Sequence, residues 1–438
     1  MYFARFALSL HIKMRVLIVN TSERTGGAAV AAHRLMSALN NNGVKAQMLV
    51  RDKQTDDISV VPLKRSPLLR WHFLWERFVI FCRLQFQRKH LFNIDIANSG
   101  TDITQLKEFK EADIIHLHWV NQGMLSLGNI KKILQSGKPV VWTMHDMWPA
   151  TSICHLTLGC QQFMTQCTQC RYLPGGDKKT TSLSMKVWRR KAAMLTQGNI
   201  VFVACSRWLE GEARKSALLK GQKVTSIPNA IDTRTFRPGN AAAVRESLGL
   251  PQDKLLLLFV CQRVTNVNKG MHYLAEACRT LAQQHPELSK RLGLVLLGGH
   301  ADEVSAEMTF DTYPMGYVGD ETRIANIYQA CDVFVLPSLS ENLPNTIMEA
   351  MACGLPCIGF RVGGIPEEID HKKNGYVAEY CNSDDLARGI HWILCEADRE
   401  KLSATAINKV CHNFSQSSVA LRYSELYQEI LAQKHFNL

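Results

Sequence analysis

Short apolar runs alternate with amphipathic stretches in the first half of the chain. The segment Ala28–Asn41 has helical spacing and ends before Gly43. Buried strands are predicted on both sides of it and further along, at Arg15–Asn20, Val44–Val50, Asp113–Leu117, Val140–Met144 and Ile200–Ala204. A strand, a glycine loop, a helix and a second strand, in that order, are typical of a parallel α/β sheet.

A second series of the same kind follows Asn229. Its predicted strands are Leu255–Cys261, Leu294–Leu297, Val333–Leu336 and Cys357–Phe360, with helices at His272–Gln284, Glu321–Ala330 and, at the end of the chain, Ser417–Gln433. We therefore predict an α/β protein with two doubly wound, Rossmann-like domains, residues 14–225 and 226–412, and a final segment 413–438. Residues 1–13 are interpreted as an extension, either disordered or preceding a true start at Met14.

Composition and charge restrict the classes of function that are possible. Apolar residues make up 46% of the 438 residues, as in ordinary folded proteins, and no apolar run is long enough to span a bilayer. The sequence has no signal peptide, which predicts a cytoplasmic protein with its 14 cysteines mostly reduced. Residues 1–230 hold 32 Lys and Arg against 14 Asp and Glu, which indicates an anionic partner. Nucleic acid, an anionic membrane and a phosphate-bearing substrate all qualify, but no nucleic-acid-binding motif is present.

The segment 337–356 carries two glutamates where a ligand is expected. Glu341 lies in a loop after a buried strand, and Glu349 lies in the helix that follows, with Asn345 as its predicted cap. Ligands bind beyond the carboxyl ends of the strands in open α/β sheets. Carboxylates suit sugar hydroxyls, and the amides at the start of the helix, in residues 342–346, suit a phosphate.

This segment, with its Ala-Met-Ala-x-Gly-x-Pro tail, resembles the donor motif of retaining GT-B glycosyltransferases of family 4. Further resemblances lie in the glycine loop Gly26-Gly27, the basic residues Arg263 and Lys269, and the segments 229–232 and 363–367. The family usually has Glu-Gly-Phe-Gly where this chain has Glu-Asn-Leu-Pro at residues 341–344. This difference leaves the identity of the donor sugar undetermined.

The resemblance implies a GT-B fold, with two domains facing across a cleft and a C-terminal helix that crosses back to the first domain. It implies catalytic roles for His145, Glu341, Arg263 and Lys269. It also implies a donor site made of Gly26, Gly27, Arg263, Lys269, Glu341, Asn342, Leu343, Asn345, Thr346 and Glu349. No catalytic metal is expected, because Arg263 and Lys269 would stabilise the diphosphate.

Three further residues follow predicted strands of the first domain. His116 and His118 share one face of a strand, and Asp146 comes directly after His145. We assign all three to the acceptor side. The alternative for the two histidines is the packed core, and Asp146 can either orient His145 or act on the acceptor.

Four cysteines, Cys154, Cys160, Cys167 and Cys170, fall within one short segment beside His155. Four thiols in a reducing compartment, two of them in a CxxC pair, favour a structural zinc ion. Any one of them could be replaced as a ligand by His155. Free thiols, and disulfide or redox chemistry, are the alternatives.

Residues 64–92 mix seven Lys and Arg with seven Trp and Phe and contain one acid, Glu76. Such a stretch is typical of an interfacial helix on an anionic membrane. The alternative is an inserted helix that packs its aromatic side chains on its own domain.

These observations predict a retaining glycosyltransferase that moves a sugar from a UDP- or GDP-sugar to a lipid-linked glycan in surface polysaccharide biosynthesis. The protein would be cytoplasmic and peripheral on the inner face of the cell membrane. The alternatives are a sugar-nucleotide epimerase of the same fold and a non-catalytic nucleotide-sugar-binding protein. No nucleic-acid partner is expected.

Overall fold

The computed structural model describes residues 14–177, 182–305 and 308–436, so the proposed extension 1–13 lies outside the described residues. The chain divides into two compact units. The N-terminal unit comprises the described residues up to Ala204, Glu212–Thr225 and the chain from Ala420 onward. The C-terminal unit comprises Cys205–Gly211 and Ser226–Val419.

The N-terminal unit is built on a seven-stranded sheet with the order β3-β2-β1-β4-β5-β6-β7. Its strands are β1 Arg15–Ser22, β2 Lys45–Asp52, β3 Val60–Pro62, β4 Ile114–Leu117, β5 Val140–Met144, β6 Ile200–Ala204 and β7 Lys223–Ser226. The pairs from β3 to β6 run parallel. Gly26, Trp119 and His145, which follow β1, β4 and β5, therefore lie at the same edge of the sheet.

The C-terminal unit is built on a six-stranded parallel sheet with the order β10-β9-β8-β11-β12-β13. Its strands are β8 Leu255–Arg263, β9 Leu292–Gly299, β10 Asp311–Gly316, β11 Val333–Leu336, β12 Cys357–Phe360 and β13 Gly375–Ala378. One apolar cluster lies on each face of this sheet. Burial on both faces explains why these strands read as continuous apolar runs.

Helices connect the strands in both units. They are α1 Gly27–Asn41, α2 Pro67–Arg83, α3 Lys107–Glu111, α4 Leu127–Gln135, α5 Leu183–Leu195, α6 Arg207–Arg214, α7 Ala241–Leu248, α8 Met271–Gln284, α9 Pro286–Ser289, α10 Ala301–Ser305, α11 Glu321–Gln329, α12 Asn345–Ala352, α13 Ile365–Glu368, α14 Ser383–His391, α15 Arg399–Asn413 and α16 Gln416–Phe436. Within the described ranges, no helix is both long enough and apolar enough to cross a bilayer.

All the strands that the sequence predicts are present, within a few residues of their predicted ends. The capping role predicted for Asn345 is wrong. Pro344 occupies the position before α12, no side chain caps that helix, and Asn345 is its first residue.

Three loops at the carboxyl edge of the C-terminal sheet pack backbone against backbone. Gly270, which follows β8, has φ of 73°, and a Cβ built on it would lie 1.8 Å from the Pro337 carbonyl oxygen. A Cβ on Gly363, which follows β12, would lie 1.7 Å from the carbonyl oxygen of Glu341, and one on Gly364 would lie 2.1 Å from that of Asn342. Only glycine fits these positions, and the glycines therefore fix the loop that carries Glu341.

The close approach at Gly270 is testable with a matched pair of variants. Gly249 also has a positive φ, 67°, but a Cβ there would meet nothing within 4 Å. Gly249→Ala should cost on the order of 1–2 kcal/mol of unfolding free energy through backbone strain alone. Gly270→Ala should cost about 1–3 kcal/mol more, because a clash is added to the strain. Urea unfolding of both variants measures the difference, and equal losses would show that the approach is loose.

Candidate functional site

The centre of the candidate site in the C-terminal unit is an ion pair between two of these loops. The Lys269 ammonium lies 2.5 Å from the Glu341 carboxylate, and the two side chains are 28% and 11% exposed. Burial by itself would lower the pKa of Lys269, but Glu341 raises it above its ordinary value, so the lysine is held in its charged form. Arg263, the last residue of β8, is exposed on the same strand-to-loop connection.

Glu349 lies on the buried side of α12. Its side chain accepts a hydrogen bond of 3.0 Å from the Tyr328 hydroxyl, and the residue is 7% exposed. Burial and the neighbouring Glu349 raise the pKa of Tyr328 well above its ordinary value, so the hydroxyl keeps its proton and donates it. Glu349 is therefore a fixed acceptor and not a solvated surface residue.

The loop between Glu341 and α12 is held from the side by Ser206. The Ser206 hydroxyl donates to the Asn342 side-chain oxygen at 2.6 Å and accepts from the Leu209 amide at 3.0 Å. Leu343 is buried, whereas Asn345 and Thr346 are partly exposed in the first turn of α12. Asn229 donates to the Asn345 side-chain oxygen at 3.0 Å. The side chain that replaces the family's usual glycine at 342 is thus bonded within this unit.

Glu368 was missed by the sequence reasoning. It is fully buried in α13, and neither carboxylate oxygen has a hydrogen-bond partner among the described residues. Burial and the nearby Glu341 raise the pKa of Glu368 well above its ordinary value, which favours the protonated form. Beside it in the chain, Glu367 accepts from the amides of Arg207 and Trp208 at 2.9 and 2.6 Å.

The N-terminal unit brings three histidines together after β4 and β5. The His116 ring contacts the His118 ring at 4.4 Å between centroids, and the His118 ring stacks on His145 at 5.2 Å. The Nδ1 of His118 lies 2.9 Å from the Nε2 of His145, whereas the Nε2 of His118 has no partner among the described residues. His145 is partly exposed and His118 is buried.

His116 belongs to the packed core, which was the alternative to a place on the acceptor side. It is fully buried, and its ring nitrogens lie 2.7 Å from the Tyr427 hydroxyl and 2.7 Å from the Thr143 hydroxyl. Tyr427 and Tyr423 come from α16, and the Tyr423 hydroxyl lies 2.9 Å from that of Thr143. Both nitrogens of His116 are used, so this residue supports its neighbours and offers no free nitrogen to a ligand.

Asp146 is fixed by a chain of polar side chains that the sequence did not reveal. Both ring nitrogens of His155 face carboxylates, Nδ1 to Asp146 at 2.7 Å and Nε2 to Asp95 at 2.6 Å, and Asp95 also pairs with Arg77. Burial would raise the pKa of Asp146, but His155 and the hydrogen bonds around it lower that pKa below its ordinary value. The indole of Trp119 also donates to Asp146, at 3.0 Å. Asp146 is therefore a firmly held carboxylate.

Gly26 and Gly27 lie in the N-terminal unit, apart in sequence from the other predicted donor residues. Gly26 has φ of 89° and precedes α1, and a Cβ there would meet nothing within 4 Å. Its carbonyl accepts from the amides of Ala29 and Val30, both at 3.1 Å. The open space beside Gly26 is compatible with the close approach of a ligand to the backbone.

The four clustered cysteines line one small cavity of about 20 Å³, and none of the four forms a disulfide. Burial raises the pKa of Cys154 to about 12 and that of Cys167 above its ordinary value. Within the described ranges, no three His, Cys, Asp or Glu side chains are arranged to hold a metal ion. Since His155 uses both ring nitrogens for carboxylates, it is not a substitute ligand. The zinc site stays a prediction from the sequence.

Two family models match this chain. The model described as Glycosyltransferase Family 4 matches residues 25–235, and the model described as Glycosyl transferases group 1 matches residues 254–396. The D-inositol 3-phosphate glycosyltransferase 2 of Catenulispora acidiphila is 31% identical over 218 residues, which are 47% of this chain and 50% of that protein. Two glycosyltransferase models thus match successive parts of the chain, and the chain spans about half the length of the curated relatives it matches.

Solved structures share the fold at low identity. Sucrose-phosphate synthase from Thermosynechococcus elongatus superimposes with a TM-score of 0.66 at 19% identity over 96% of this chain and all of its own. Anabaena HepE, solved in complex with UDP and glucose, superimposes with a TM-score of 0.61 at 15% identity over 95% of this chain and all of its own. The predicted GT-B fold class, with two doubly wound sheets, is confirmed.

The buried histidines should destabilise the protein in acid. Burial lowers the pKa of His116 to about 3 and that of His145 to about 4, and it lowers the pKa of His118 well below its ordinary value. Between pH 6.5 and these values the unfolded chain binds protons that the folded chain does not. The unfolding free energy should therefore fall with decreasing pH, by about 1.4 kcal/mol per pH unit for each such histidine.

Urea unfolding between pH 7 and pH 5 measures this slope. His116→Gln should reduce this slope by about one proton. An identical slope in the wild type and the His116 variant would contradict the assignment of a neutral buried ring.

Proposed function

We propose that this protein is a retaining glycosyltransferase. It moves a sugar from a nucleotide-diphosphate sugar, a UDP- or GDP-sugar, to a glycan acceptor that is lipid-linked, in the biosynthesis of a cell-surface polysaccharide. In this proposal the enzyme acts in the cytoplasm, on the inner side of the membrane. The two glycosyltransferase domains and the UDP complex of the structural neighbour HepE support this class of donor.

The observation that carries the proposal is the Lys269–Glu341 pair at the carboxyl edge of the C-terminal sheet. A lysine already held in its charged form, with Arg263 on the same connection, offers two cations to a diphosphate. Hydrogen bonds between ionised partners are stronger than neutral ones, and a guanidinium matches phosphate oxygens two at a time. Glu349, Asn345 and Thr346 supply polar groups for the remainder of the donor.

The chemistry required of these residues is mainly positioning and charge stabilisation. The bond between the sugar C1 and the leaving phosphate oxygen breaks, and C1 bonds to the acceptor oxygen on the same face. The acceptor proton passes to the leaving phosphate. Arg263 and Lys269 stabilise the negative charge that develops on the diphosphate, while Glu341 keeps Lys269 charged and in place.

The acceptor side is assigned to His145 and Asp146. Burial favours the neutral form of the His145 ring, and the contact with His118 fixes the orientation of that ring. Asp146, held ionised by His155, is the second polar group on that edge. His118 acts through His145 and is a positioning residue.

A panel of UDP- and GDP-sugars tests the class. Thermal stabilisation by one donor identifies the base and the sugar, since a ligand at 100 times its Kd adds about 2.7 kcal/mol. NMR of the product then gives the anomeric configuration, and inversion would contradict a retaining enzyme. Release of nucleotide together with an epimerised free sugar, without any acceptor, would favour an epimerase. Donor binding without turnover would favour a non-catalytic binding protein.

Replacing either proposed diphosphate cation should abolish most of the activity. Lys269→Ala and Arg263→Ala each remove a charge-assisted bond, so kcat/KM should fall about 10- to 150-fold. Lys254→Ala is the matched control, because Lys254 pairs with Asp311 beside the opposite end of β8. Initial rates with saturating acceptor measure the effect. Wild-type rates in both site variants would exclude this diphosphate site.

Brief treatment with EDTA should leave the transfer rate unchanged, because protein cations stabilise the diphosphate in this proposal. Immediate loss of transfer, reversed by Mg²⁺ or Mn²⁺, would contradict it.

We also propose that Cys154, Cys160, Cys167 and Cys170 bind one structural zinc ion. Elemental analysis of the reduced protein tests that separately, and a zinc content near zero in folded protein would exclude it.

A further inference from the structure

Two charged residues of helix α2, Glu76 and Arg77, are buried. The Glu76 carboxylate is fully buried and accepts from the amides of Ile96 and Ala97 at 3.0 and 2.6 Å. The Arg77 guanidinium is 6% exposed, pairs with Asp95 and donates to the Leu91 carbonyl at 2.6 Å. These contacts hold the helix against the loop 91–97.

The outward side of the same helix is apolar. Its exposed side chains, here called the aromatic face, are Leu68 (61%), Trp71 (51%), Leu74 (50%), Trp75 (40%) and Phe78 (55%). Their spacing of three and four residues places them along one side of a helix. Trp71 and Trp75 stack on each other, with ring centroids 5.3 Å apart and an interplanar angle of 7°. Phe86 and Phe92, exposed by 69% and 60%, follow the helix.

The aromatic face cannot be turned inward by rolling the helix. Gly123 has φ of 80°, and a Cβ there would lie 2.6 Å from the backbone nitrogen of Phe73, so a loop packs directly on the helix backbone. His72 adds a hydrogen bond of 2.6 Å to the Ser99 hydroxyl on the same side. The alternative that this helix packs its aromatic side chains on its own domain holds only for Phe73 and Phe81, which are partly exposed.

Basic side chains surround the aromatic face. Six of the seven cations of the segment are exposed: Lys64, Arg65, Arg70, Arg83, Arg88 and Lys89. Arg77 is the exception, because it is buried in its pair with Asp95. Among the ion pairs of the described residues, none involves these six. Since the one acid of the segment, Glu76, is buried, the exposed surface here is apolar with a positive border.

We propose that the aromatic face is a docking surface for an anionic phospholipid membrane. Tryptophan and phenylalanine insert at the level of the headgroups, and the surrounding Lys and Arg side chains bind the negative lipid headgroups. A second copy of the chain is a poorer occupant. A twofold contact through this face would bring the six cations of one copy against the same six of the other.

Nucleic acid is also a poorer occupant of this face. Phosphates could contact the cations, but Leu68 and Leu74 would find no apolar partner on the charged nucleic-acid backbone. Binding would therefore not bury these two side chains. A lipid surface uses both the cations and the aliphatic side chains. This inference does not depend on the proposed sugar transfer, because it rests on one helix and its flanks.

Co-sedimentation with vesicles tests the proposal. The wild-type protein should bind vesicles of phosphatidylcholine with phosphatidylglycerol at low salt, bind phosphatidylcholine alone weakly, and dissociate as salt rises. Replacing Arg70, Arg83, Arg88 and Lys89 with Gln should lower binding on the order of a thousandfold. Gln at Lys107, Lys110, Lys131 and Lys220 is the matched control, because those exposed cations of the same unit lie outside the segment.

A second pair of variants separates the insertion of aromatic side chains into the membrane from the attraction of Lys and Arg to its headgroups. Trp71→Ser, Trp75→Ser and Phe78→Ser combined should abolish binding while leaving the urea midpoint nearly unchanged, because these side chains are exposed. Leu421→Ser and Tyr317→Ser combined, at other exposed apolar positions, should retain binding. A chain beginning at Met14 should also retain binding, and its loss would assign the contact to the first thirteen residues.

Three outcomes would overturn the proposal. The first is wild-type protein that stays in the supernatant with anionic vesicles at low salt. The second is a dimer in sedimentation velocity that the aromatic variant dissociates, without vesicle binding. The third is tight binding to duplex RNA that the aromatic variant retains, again without vesicle binding. Donor-induced thermal stabilisation, measured in parallel, keeps a failure of docking distinct from a failure of the proposed transferase activity.

Discussion

Close backbone contact between three loops is the constraint on which the C-terminal site depends. Gly270, Gly363 and Gly364 lie so near carbonyl oxygens of the loop 337–342 that no side chain fits between them. The contact brings Lys269 to Glu341 and holds Asn342 beside Ser206. Side-chain hydrogen bonds alone would leave these loops freer, since loops after strands have few other neighbours. The backbone contacts therefore fix the positions of the loops at this edge, and the positions of the charged side chains depend on those loops.

The N-terminal unit secures its polar residues by a different means. Here buried side chains hold one another, through the histidines near Thr143 and through the chain from Asp146 to Arg77. A buried charge is tolerated only when it is paired, and each of these carboxylates has a cation or a donor beside it. Helix α16, the last in the chain, contributes two tyrosine hydroxyls to this network, so the end of the chain is part of the framework that orients His145.

The sequence predicted the sheets well because both faces of each sheet are covered. Strands such as β5 and β11 are continuous apolar runs for that reason. Four strands were missed, namely β3, β7, β10 and β13. The edge strand β3 has three residues, and β10 contains Pro314 and Gly316 and is partly exposed along much of its length. At the site, the motif located Lys269, Glu341 and Glu349. Tyr328, which bonds Glu349, and Ser206, which bonds Asn342, have no local sequence pattern, because each is brought there by another part of the chain. The same holds for the buried Glu368.

Helix α2 separates two tasks between its opposite sides. Its inner side buries Glu76, Arg77 and Ile80 against the domain, whereas Trp71, Trp75 and Phe78 on the outer side are exposed. Folding therefore places little constraint on which amino acids occupy positions 71, 75 and 78. Any pressure that keeps large apolar groups there must come from outside the folded chain. The outer surface is consequently modular: it can change, or be grafted onto a related helix, without any rearrangement of the core beneath it.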